Sequence, residues 1–300
     1  AKVSLVAAQA EPDPDFPTVP FPNPEEAGAL DMAIEQARAE DADLIIAVDP
    51  DADRCALAVP DPHAEAEWTP LSGDQIGCLL GEFLAARGLE GSLANSIVSS
   101  RLLARIARSH GLEHHTTLTG FKWIARAPQL AFGYEEAIGF CPNPSVARDK
   151  DGIASSVVAA SLFAALKTEG RTAWDELDRL AHAHGLHVTG PLTFRVEEIA
   201  QIDTGMARLR AQPPSELAGS PVVEVSDLAE GYQGLPPTDG VLVLTEAGDR
   251  VIARPSGTEP KLKCYLEVIL PAPEGEPVPW EAARERLELI KREFGQIIGL

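Results

Sequence analysis

The 300-residue chain carries a formal net charge of −21, which argues against a nucleic-acid or anionic-membrane surface but allows a local cationic pocket for a phosphorylated ligand. Its length suggests two or three domains and is ample to bury cores. Its four cysteines, Cys55, Cys78, Cys141 and Cys264, are scattered without a Cys-x-x-Cys pair, so neither a disulfide framework nor a zinc site is indicated and a reducing cytoplasm is the default compartment.

No run approaches the roughly 20 apolar residues that a membrane helix needs, and no signal peptide is evident. The chain opens without Met on Ala1-Lys2-Val3-Ser4-Leu5-Val6, a strand-like pattern that suggests the middle of a domain and hence a fragment. Residues 12–22, rich in Pro and Asp, read as a loop or connector. Asn23-Pro24-Glu25-Glu26 then predicts a helix start, with Asn23 as N-cap and Pro24 at the first helical position. Leu30, Ile34 and Ala37 continue the helical spacing to residue 40.

Residues 44–48, Leu-Ile-Ile-Ala-Val, predict a strand buried on both faces of a mainly parallel sheet. It empties at its carboxyl end into Asp49-Pro50-Asp51-Ala52-Asp53-Arg54, where open α/β sheets place their ligands. The alternating Asp49, Asp51 and Asp53 can aim three carboxylates at a single hard cation, and magnesium fits best. An EF-hand is set aside, because its sixth position here is Arg54 instead of Gly and its twelfth is Pro60 instead of Glu. A dehalogenase-type phosphatase also begins with a strand and Asp-x-Asp, but its usual Thr or Val after the second Asp is missing. An ordinary solvated acidic turn is the plain alternative, and Pro50 suits it.

Residues 55–59 can return as the next strand, and 61–70 read as a linker. In a second block, from about 71 to 190, Asp74 is placed to cap a helix through residue 87. A strand at 97–99 and a helix at 101–110 ended by Gly111 follow. The loop Thr117-Leu118-Thr119-Gly120-Phe121-Lys122-Trp123 combines hydroxyls, a glycine and one cation, which suits an anionic sugar phosphate as well as a plain turn. In 132–140, Glu135 and Glu136 sit between glycines in apolar surroundings, a costly arrangement unless they bind something. Carboxylates accept hydrogen bonds from sugar hydroxyls. Residues 149–152 read as the cap of a helix at 153–166 that packs into the core.

The third block, from about 191 to 300, has alternating stretches at 188–194, 222–225, 241–244, 251–253 and 262–270, then an amphipathic helix at 280–297. Arg254-Pro255-Ser256-Gly257-Thr258-Glu259-Pro260-Lys261 lies between two of these strands. The Ser-Gly-Thr run lets backbone amides and hydroxyls approach phosphate oxygens, and Arg254 can add a bidentate contact. A hairpin turn with ordinary capping residues is the alternative.

Asp-Pro-Asp-Ala-Asp-Arg at 49–54, Thr-Gly-Phe-Lys-Trp at 119–123, Tyr-Glu-Glu-Ala-Ile-Gly at 134–139 and Arg-Pro-Ser-Gly-Thr-Glu-Pro at 254–260 occur in this order at domain-scale spacing. Together they resemble the α-D-phosphohexomutases, the phosphoglucomutase/phosphomannomutase superfamily, over essentially the whole chain. The resemblance implies a multi-domain α/β architecture closed by an α+β domain like the TATA-binding protein. Its implied boundaries are 1–70 for the end of domain two, 71–190 for domain three and 191–300 for domain four. It implies Mg²⁺ on Asp49, Asp51 and Asp53, with Arg54 near the transferring phosphoryl group and Lys122 near the substrate. Glu135 and Glu136 would meet sugar hydroxyls, and Arg254, Ser256, Gly257, Thr258 and Lys263 would hold the non-transferring phosphate.

Two departures shape the expectation. No Thr/Ala-Ser-His-Asn-Pro loop, which carries the family's nucleophilic serine, occurs in these 300 residues. The resemblance therefore implies that the phosphoserine domain is missing and that the chain is inactive alone. The sugar loop has Ala137 where many members have Ser, a form resembling the branch of phosphopentomutases and glucose-1,6-bisphosphate synthases, so glucose, mannose and pentose phosphates all stay open. The expected activity is a phosphosugar mutase with a glucose 1,6-bisphosphate-type activator and a phosphosugar as partner. A non-catalytic sugar-phosphate or metal-binding module is the competing reading.

Overall fold

The computed structural model of the chain describes residues 2–61, 67–256 and 260–299. The backbone divides into two compact units, Ala1–Ser96 with Leu103–Leu177, and Ile97–Leu102 with Asp178–Leu300.

The first unit does not open with the expected strand. Residues 2–6 form no regular element, and Val3 and Leu5 stand exposed. Extended backbone becomes a strand only through a ladder to a neighbour, and no described residue supplies one here. The first helix, α1 (Asp31–Glu40), also starts later than Asn23-Pro24 predicts. The Asn23 side chain accepts from the Glu25 amide in a local turn at 3.1 Å, and Gly28 at φ +84° breaks the helical course before Leu30.

Residues 44–48 require a second correction. The strand β1 (Ile45–Val48) is not in a parallel sheet but pairs antiparallel with β2 (Cys55–Pro60), which pairs with β3 (Trp68–Pro70). Ile46 and Val48 are 38% and 46% exposed. A three-stranded antiparallel sheet can leave one face in water, so the unbroken apolar run does not mean burial on both sides. Ile45, Ala58 and Trp68 cluster with Ala37 of α1 and with Leu30 just before it. The expected linker at 61–70 thus contains β3, and Thr69 donates to Asp61 at 2.9 Å.

The helix α2 (Gly73–Ala85) is capped by Ser72 instead of Asp74, in a capping box with Gln75. Asp74 is buried and accepts from the Tyr134 hydroxyl at 2.8 Å. The expected strand at 97–99 lies earlier, as β4 (Ser92–Ser96). It is followed by α3 (Leu102–Ser109), β5 (Glu113–Thr117), α4 (Phe121–Ile124), β6 (Leu130–Glu135) and β7 (Gly139–Cys141). Three strands run parallel in the order β5-β4-β6, and β7 adds antiparallel to β6. Strand β4 reads poorly in sequence because its polar residues are buried; the apolar Ile97 and Val98 belong to the core of the second unit. The helix α2 lies close on β6, since a Cβ at Gly77 would fall 2.5 Å from the Tyr134 ring. Next comes α5 (Gly152–Thr168), capped by Asp151 through the Ala154 amide at 2.8 Å. It buries Ala159, Leu162 and Leu166, while Ile153 and Val157 remain exposed. The helix α6 (Ala173–His184) follows.

The second unit is an antiparallel six-stranded sheet. Its elements are β8 (Leu186–Arg195), α7 (Ile199–Ala211), β9 (Glu216–Leu217), β10 (Ser220–Asp227), β11 (Val241–Thr245), β12 (Arg250–Pro255), β13 (Lys261–Leu270) and α8 (Trp280–Ile298). Strand order is β8-β13-β12-β11-β10-β9. Met206, Leu209, Leu287, Ile290 and Phe294 from α7 and α8 pack on Val243, Val251, Leu262 and Leu266. On the other face, Leu242 and Ile252 meet Leu228, Ile97 and Val98. This sheet with helices over one face is the α+β arrangement that the resemblance implies.

Candidate active site

The Asp loop is a six-residue connection between β1 and β2. Asp49 is buried, and its Oδ1 accepts from the amides of Asp53 at 3.2 Å and Arg54 at 3.0 Å. Its Oδ2 takes the Arg54 Nε at 2.7 Å. Burial opposes ionisation of this carboxyl, but the Arg54 amide and guanidinium outweigh it and hold the pKa below the ordinary aspartate value. The turn closes through Ala52, whose amide donates to the Asp49 carbonyl at 2.9 Å and whose φ is +56°. Asp51 stands exposed at the loop tip. Asp53 pairs with Lys150, Oδ2 to Nζ 3.1 Å.

Glu135 ends β6, and Glu136 begins the turn into β7. The topology makes this a natural ligand site: β5 and β6 lie on opposite sides of β4, and ligands gather beyond the carboxyl ends of parallel strands where the order reverses. Ser96 at the end of β4 donates to the Glu136 carboxylate at 3.1 Å. Burial, followed by the charges of Glu136, Asp53 and Asp149, pushes Glu135 up to about 7, against the opposing effect of Lys150. Lys122 lies on α4, beyond the end of β5, and is exposed.

Backbone contacts tie the two acidic loops together. Arg54 and Gly139 form an antiparallel bridge, and the Cys55 amide donates to the Ile138 carbonyl at 3.0 Å. The Gly152 amide donates to the Ala52 carbonyl at 3.1 Å. Close approach requires glycine at these points. An added Cβ would fall 2.5 Å from the Arg54 carbonyl oxygen at Gly152 and 2.0 Å from the Glu136 carbonyl oxygen at Gly73.

Lys150 does not stand out in the sequence, where Asp149-Lys150-Asp151-Gly152 reads as a helix cap. Burial disfavours its charge, but Asp53, Glu135 and Asp149 outweigh that and raise its pKa. Its Nζ also lies 5.5 Å from the centre of the Phe121 ring. A lysine flanked by two aspartates just before a close-packed glycine was the available signal.

Among the described residues, no group of three or more His, Cys, Asp or Glu side chains is gathered as a metal centre. The three aspartates share one loop, with Asp49 turned to Arg54 and Asp53 to Lys150. In the second unit, Arg254, next to last in β12, is in register with Lys263 on β13, and the Ser256 amide donates to the Lys261 carbonyl at 2.8 Å. Gly257 and Thr258 lie outside the described residues.

Comparison with known proteins gives these loops a common setting. The family models for phosphoglucomutase/phosphomannomutase match residues 1–62 as alpha/beta/alpha domain II, 72–183 as alpha/beta/alpha domain III and 166–276 as the C-terminal domain. A Haemophilus influenzae protein named "Probable phosphomannomutase" is 46% identical over 265 residues, covering 88% of this chain and 54% of the relative. A human phosphopentomutase is 34% identical over 320 residues, covering 95% of this chain and 52% of the relative. The open form of parafusin, a Paramecium phosphoglucomutase, superposes with a TM-score of 0.69 at 20% identity, covering 97% of this chain and 53% of that one. The chain spans about half the length of the curated relatives it matches. No described helix is long and apolar enough to cross a membrane. With its domain II, domain III and C-terminal domain matched in order, the chain belongs to the phosphoglucomutase/phosphomannomutase family.

Proposed function

We propose that the chain supplies the metal, sugar and phosphate loops of a phosphosugar mutase. Such an enzyme moves a phosphoryl group between the 1- and 6-positions of a hexose, or the 1- and 5-positions of a pentose, through a phosphoserine and a bisphosphorylated sugar. The observation that carries this reading is the bracing of the Asp loop against the Glu135–Glu136 turn, through the Arg54–Gly139 bridge and the Lys150–Asp53 pair. A site that transfers phosphate on a sugar needs phosphoryl charge stabilisation and hydroxyl recognition at one place, and the two loops provide them side by side.

Three carboxylates on one loop are the donor chemistry of a hard cation, and Asp49, Asp51 and Asp53 would hold Mg²⁺. That ion would neutralise charge on the transferring phosphoryl group. Arg54, fixed by Asp49, presents its guanidinium beside the same place. Glu135 and Glu136 accept from sugar hydroxyls, and Lys122 lies toward the substrate. Arg254, Ser256, Gly257, Thr258 and Lys263 hold the phosphate that is not being transferred. In this reading residues 1–70, 71–190 and 191–300 serve as the metal, sugar and phosphate domains.

These 300 residues contain no Ser-His-Asn-Pro segment, so we assign the phosphoserine to a domain that they do not include, and expect no turnover by this chain alone. The test is a fusion of the chain to the region of the Haemophilus relative that precedes the matched part. It is assayed with Mg²⁺ and glucose 1,6-bisphosphate on glucose 1-phosphate, mannose 1-phosphate and ribose 1-phosphate. Conversion of one of them, lost in Asp51→Asn, supports the reading. A folded fusion inert on all three supports the non-catalytic sugar-phosphate-binding module instead.

A further inference from the structure

The three-stranded sheet of the first unit ends on β1, and among the described residues that edge is open. In an antiparallel pair, residues alternate between exchanging hydrogen bonds with the partner strand and pointing away from it. Cys55 and Leu57 of β2 point away from β1, since the Cys55 amide donates to the Ile138 carbonyl at 3.0 Å and the Leu57 carbonyl accepts from the Leu71 amide at 2.9 Å. Their partners in register are Val48 and Ile46. The peptide groups of Ile46 and Val48 therefore point out from the open edge, where no described strand pairs with them.

The side chains along this edge are apolar. Directly paired residues share a face, so Ile46 and Val48 lie on the face of Cys55, whose Sγ is 3.6 Å from Ser156 Oγ on α5. The helix α5 runs opposite in direction to β1. Its first residue, Gly152, donates to the Ala52 carbonyl at 3.1 Å just beyond the end of β1, and Lys167 near its last turn pairs with Asp43 at 2.6 Å just before the start. It covers β2, where Cys55 and Leu57 are buried, but leaves Ile46 and Val48 exposed. Ile153, Val157, Ala160 and Ala164 form one stripe at helical spacing that ends on Lys167, so this stripe flanks β1. Ile153 and Val157 on it are exposed. Residues 2–6 do not fill the edge, because Gln36 of α1 donates to Ser4 Oγ at 2.7 Å and to the Leu5 carbonyl at 3.1 Å and holds that segment on the helix. A second copy is a poor occupant as well. Two β1 strands paired antiparallel about a two-fold axis would bring Asp43 of each beside the aspartates of the other's 49–53 loop, between chains that each carry −21.

We propose that the open edge of β1 takes one further β-strand, contributed by the region that precedes the matched part in the relatives. The inference rests on the reading that the working enzyme includes such a region, and the chain spans about half the length of those relatives. Backbone groups of the added strand would pair with Ile46 and Val48. Its side chains on the α5 side are apolar, to meet Ile46, Val48, Ile153 and Val157, because strand addition takes affinity from the main chain and specificity from alternate side chains. Docking would make the outward residues of β1 interior, which is the surrounding that an unbroken apolar strand suits.

The test adds overlapping synthetic peptides, spanning that region of the Haemophilus relative, to the isotope-labelled 300-residue chain and follows amide hydrogen exchange by NMR. One peptide is expected to slow exchange at Ile46 and Val48 about tenfold, while Ala47, already bonded to β2, changes much less. Ile46→Lys and Val157→Lys place a charge in the seam at exposed positions, and each is expected to weaken that peptide about tenfold. Val223→Lys on β10, also exposed, is expected to leave it unchanged, and Tm checks that all three variants fold. The inference is overturned if no peptide slows exchange at Ile46 and Val48, or if the seam variants bind it as the wild type does. Protection of the two amides that rises with chain concentration in the absence of peptide would make a second copy the occupant and overturn it too. The proposed function is judged separately by the fusion. Turnover with Ile46 and Val48 exchanging as fast as in the chain alone removes the inference and leaves the mutase reading, whereas a folded, inert fusion with both amides slowed does the reverse.

Discussion

Lys150 Nζ lies 3.1 Å from Asp53 Oδ2, so a side chain from just before α5 pairs with the Asp loop close to Glu135. Glu135 and Lys150 share the space over Gly139, where a Cβ would fall 2.5 Å from Lys150 Cδ and 3.0 Å from Glu135 Oε1. Replacing the lysine removes the cation that offsets the crowding of Glu135 by Glu136, Asp53 and Asp149. In Lys150→Met the Glu135 carboxyl is therefore expected to titrate above its wild-type value, read by carboxyl carbon NMR. Phosphosugar conversion by the active fusion should fall at least tenfold while Tm changes little.

Glu135 gives a pH prediction with a definite sign. Its carboxyl is raised from 4.5 to about 7 in the folded chain, so folding favours the protonated form. The associated stability is fully present below about pH 4.5 and is lost as pH rises through 7. Glu135→Gln keeps the shape without the charge. It is expected to be near neutral at pH 4.5 and to stabilise by about 1–3 kcal/mol at pH 8, while losing sugar affinity. Thermal unfolding of both proteins at the two pH values decides it, and an equal Tm shift at both would contradict this origin.

The close approach of the loops predicts that two small substitutions act strongly. Gly152→Ala places a methyl against the carbonyl oxygens of Arg54 and Ala52, and Gly73→Ala against that of Glu136. Backbone cannot move aside as a side-chain tip can, so each is expected to cost about 1–3 kcal/mol. Gly88→Ala is the comparison, because its added Cβ meets nothing within 4 Å and only its positive φ is strained. Chemical denaturation should rank Gly152→Ala and Gly73→Ala as the more damaging.

In the second unit, Glu267 is fully buried and accepts from the Ser100 hydroxyl at 2.9 Å, the Arg101 amide at 2.8 Å and Arg101 Nε at 2.6 Å. His187 Nδ1 lies 2.9 Å and Arg250 3.2 Å from the same carboxylate. Burial alone would raise its pKa, but Arg250 and the other partners hold it well below the ordinary glutamate value. Glu267→Ala leaves Arg250 buried without its counter-charge and is expected to cost about 3–5 kcal/mol. Urea unfolding monitored by tryptophan fluorescence measures it.

The loops were legible in the sequence because charged residues and glycines gathered at the ends of apolar runs have few structural reasons to be there. Five of the six strands of the second unit were legible from their alternation, with β8 and β13 each extending past the predicted limits, while the two-residue β9 was not. Strand β1 was misjudged because five apolar residues in a row read the same in a buried parallel strand and in a short antiparallel hairpin. Strand β4 was shifted because its buried Ser92, Asn95 and Ser96 look polar while Ile97 and Val98 look like its core. Lys150 was legible only as part of a helix cap, and the place of Ser96 was not legible at all. Their roles arise from contacts with residues far along the chain, which local pattern does not encode.

The most direct test of the account is whether the Asp loop takes a divalent cation. Manganese, a spectroscopic substitute for magnesium, is titrated into the 300-residue chain and followed by electron paramagnetic resonance, beside Asp51→Asn and the triple variant Asp49→Asn/Asp51→Asn/Asp53→Asn. The account predicts one bound Mn²⁺ per chain, weakened in Asp51→Asn, abolished in the triple variant and displaced by Mg²⁺. Binding of equal strength in the wild type and in a folded triple variant, or no bound Mn²⁺ in the wild type, would contradict it.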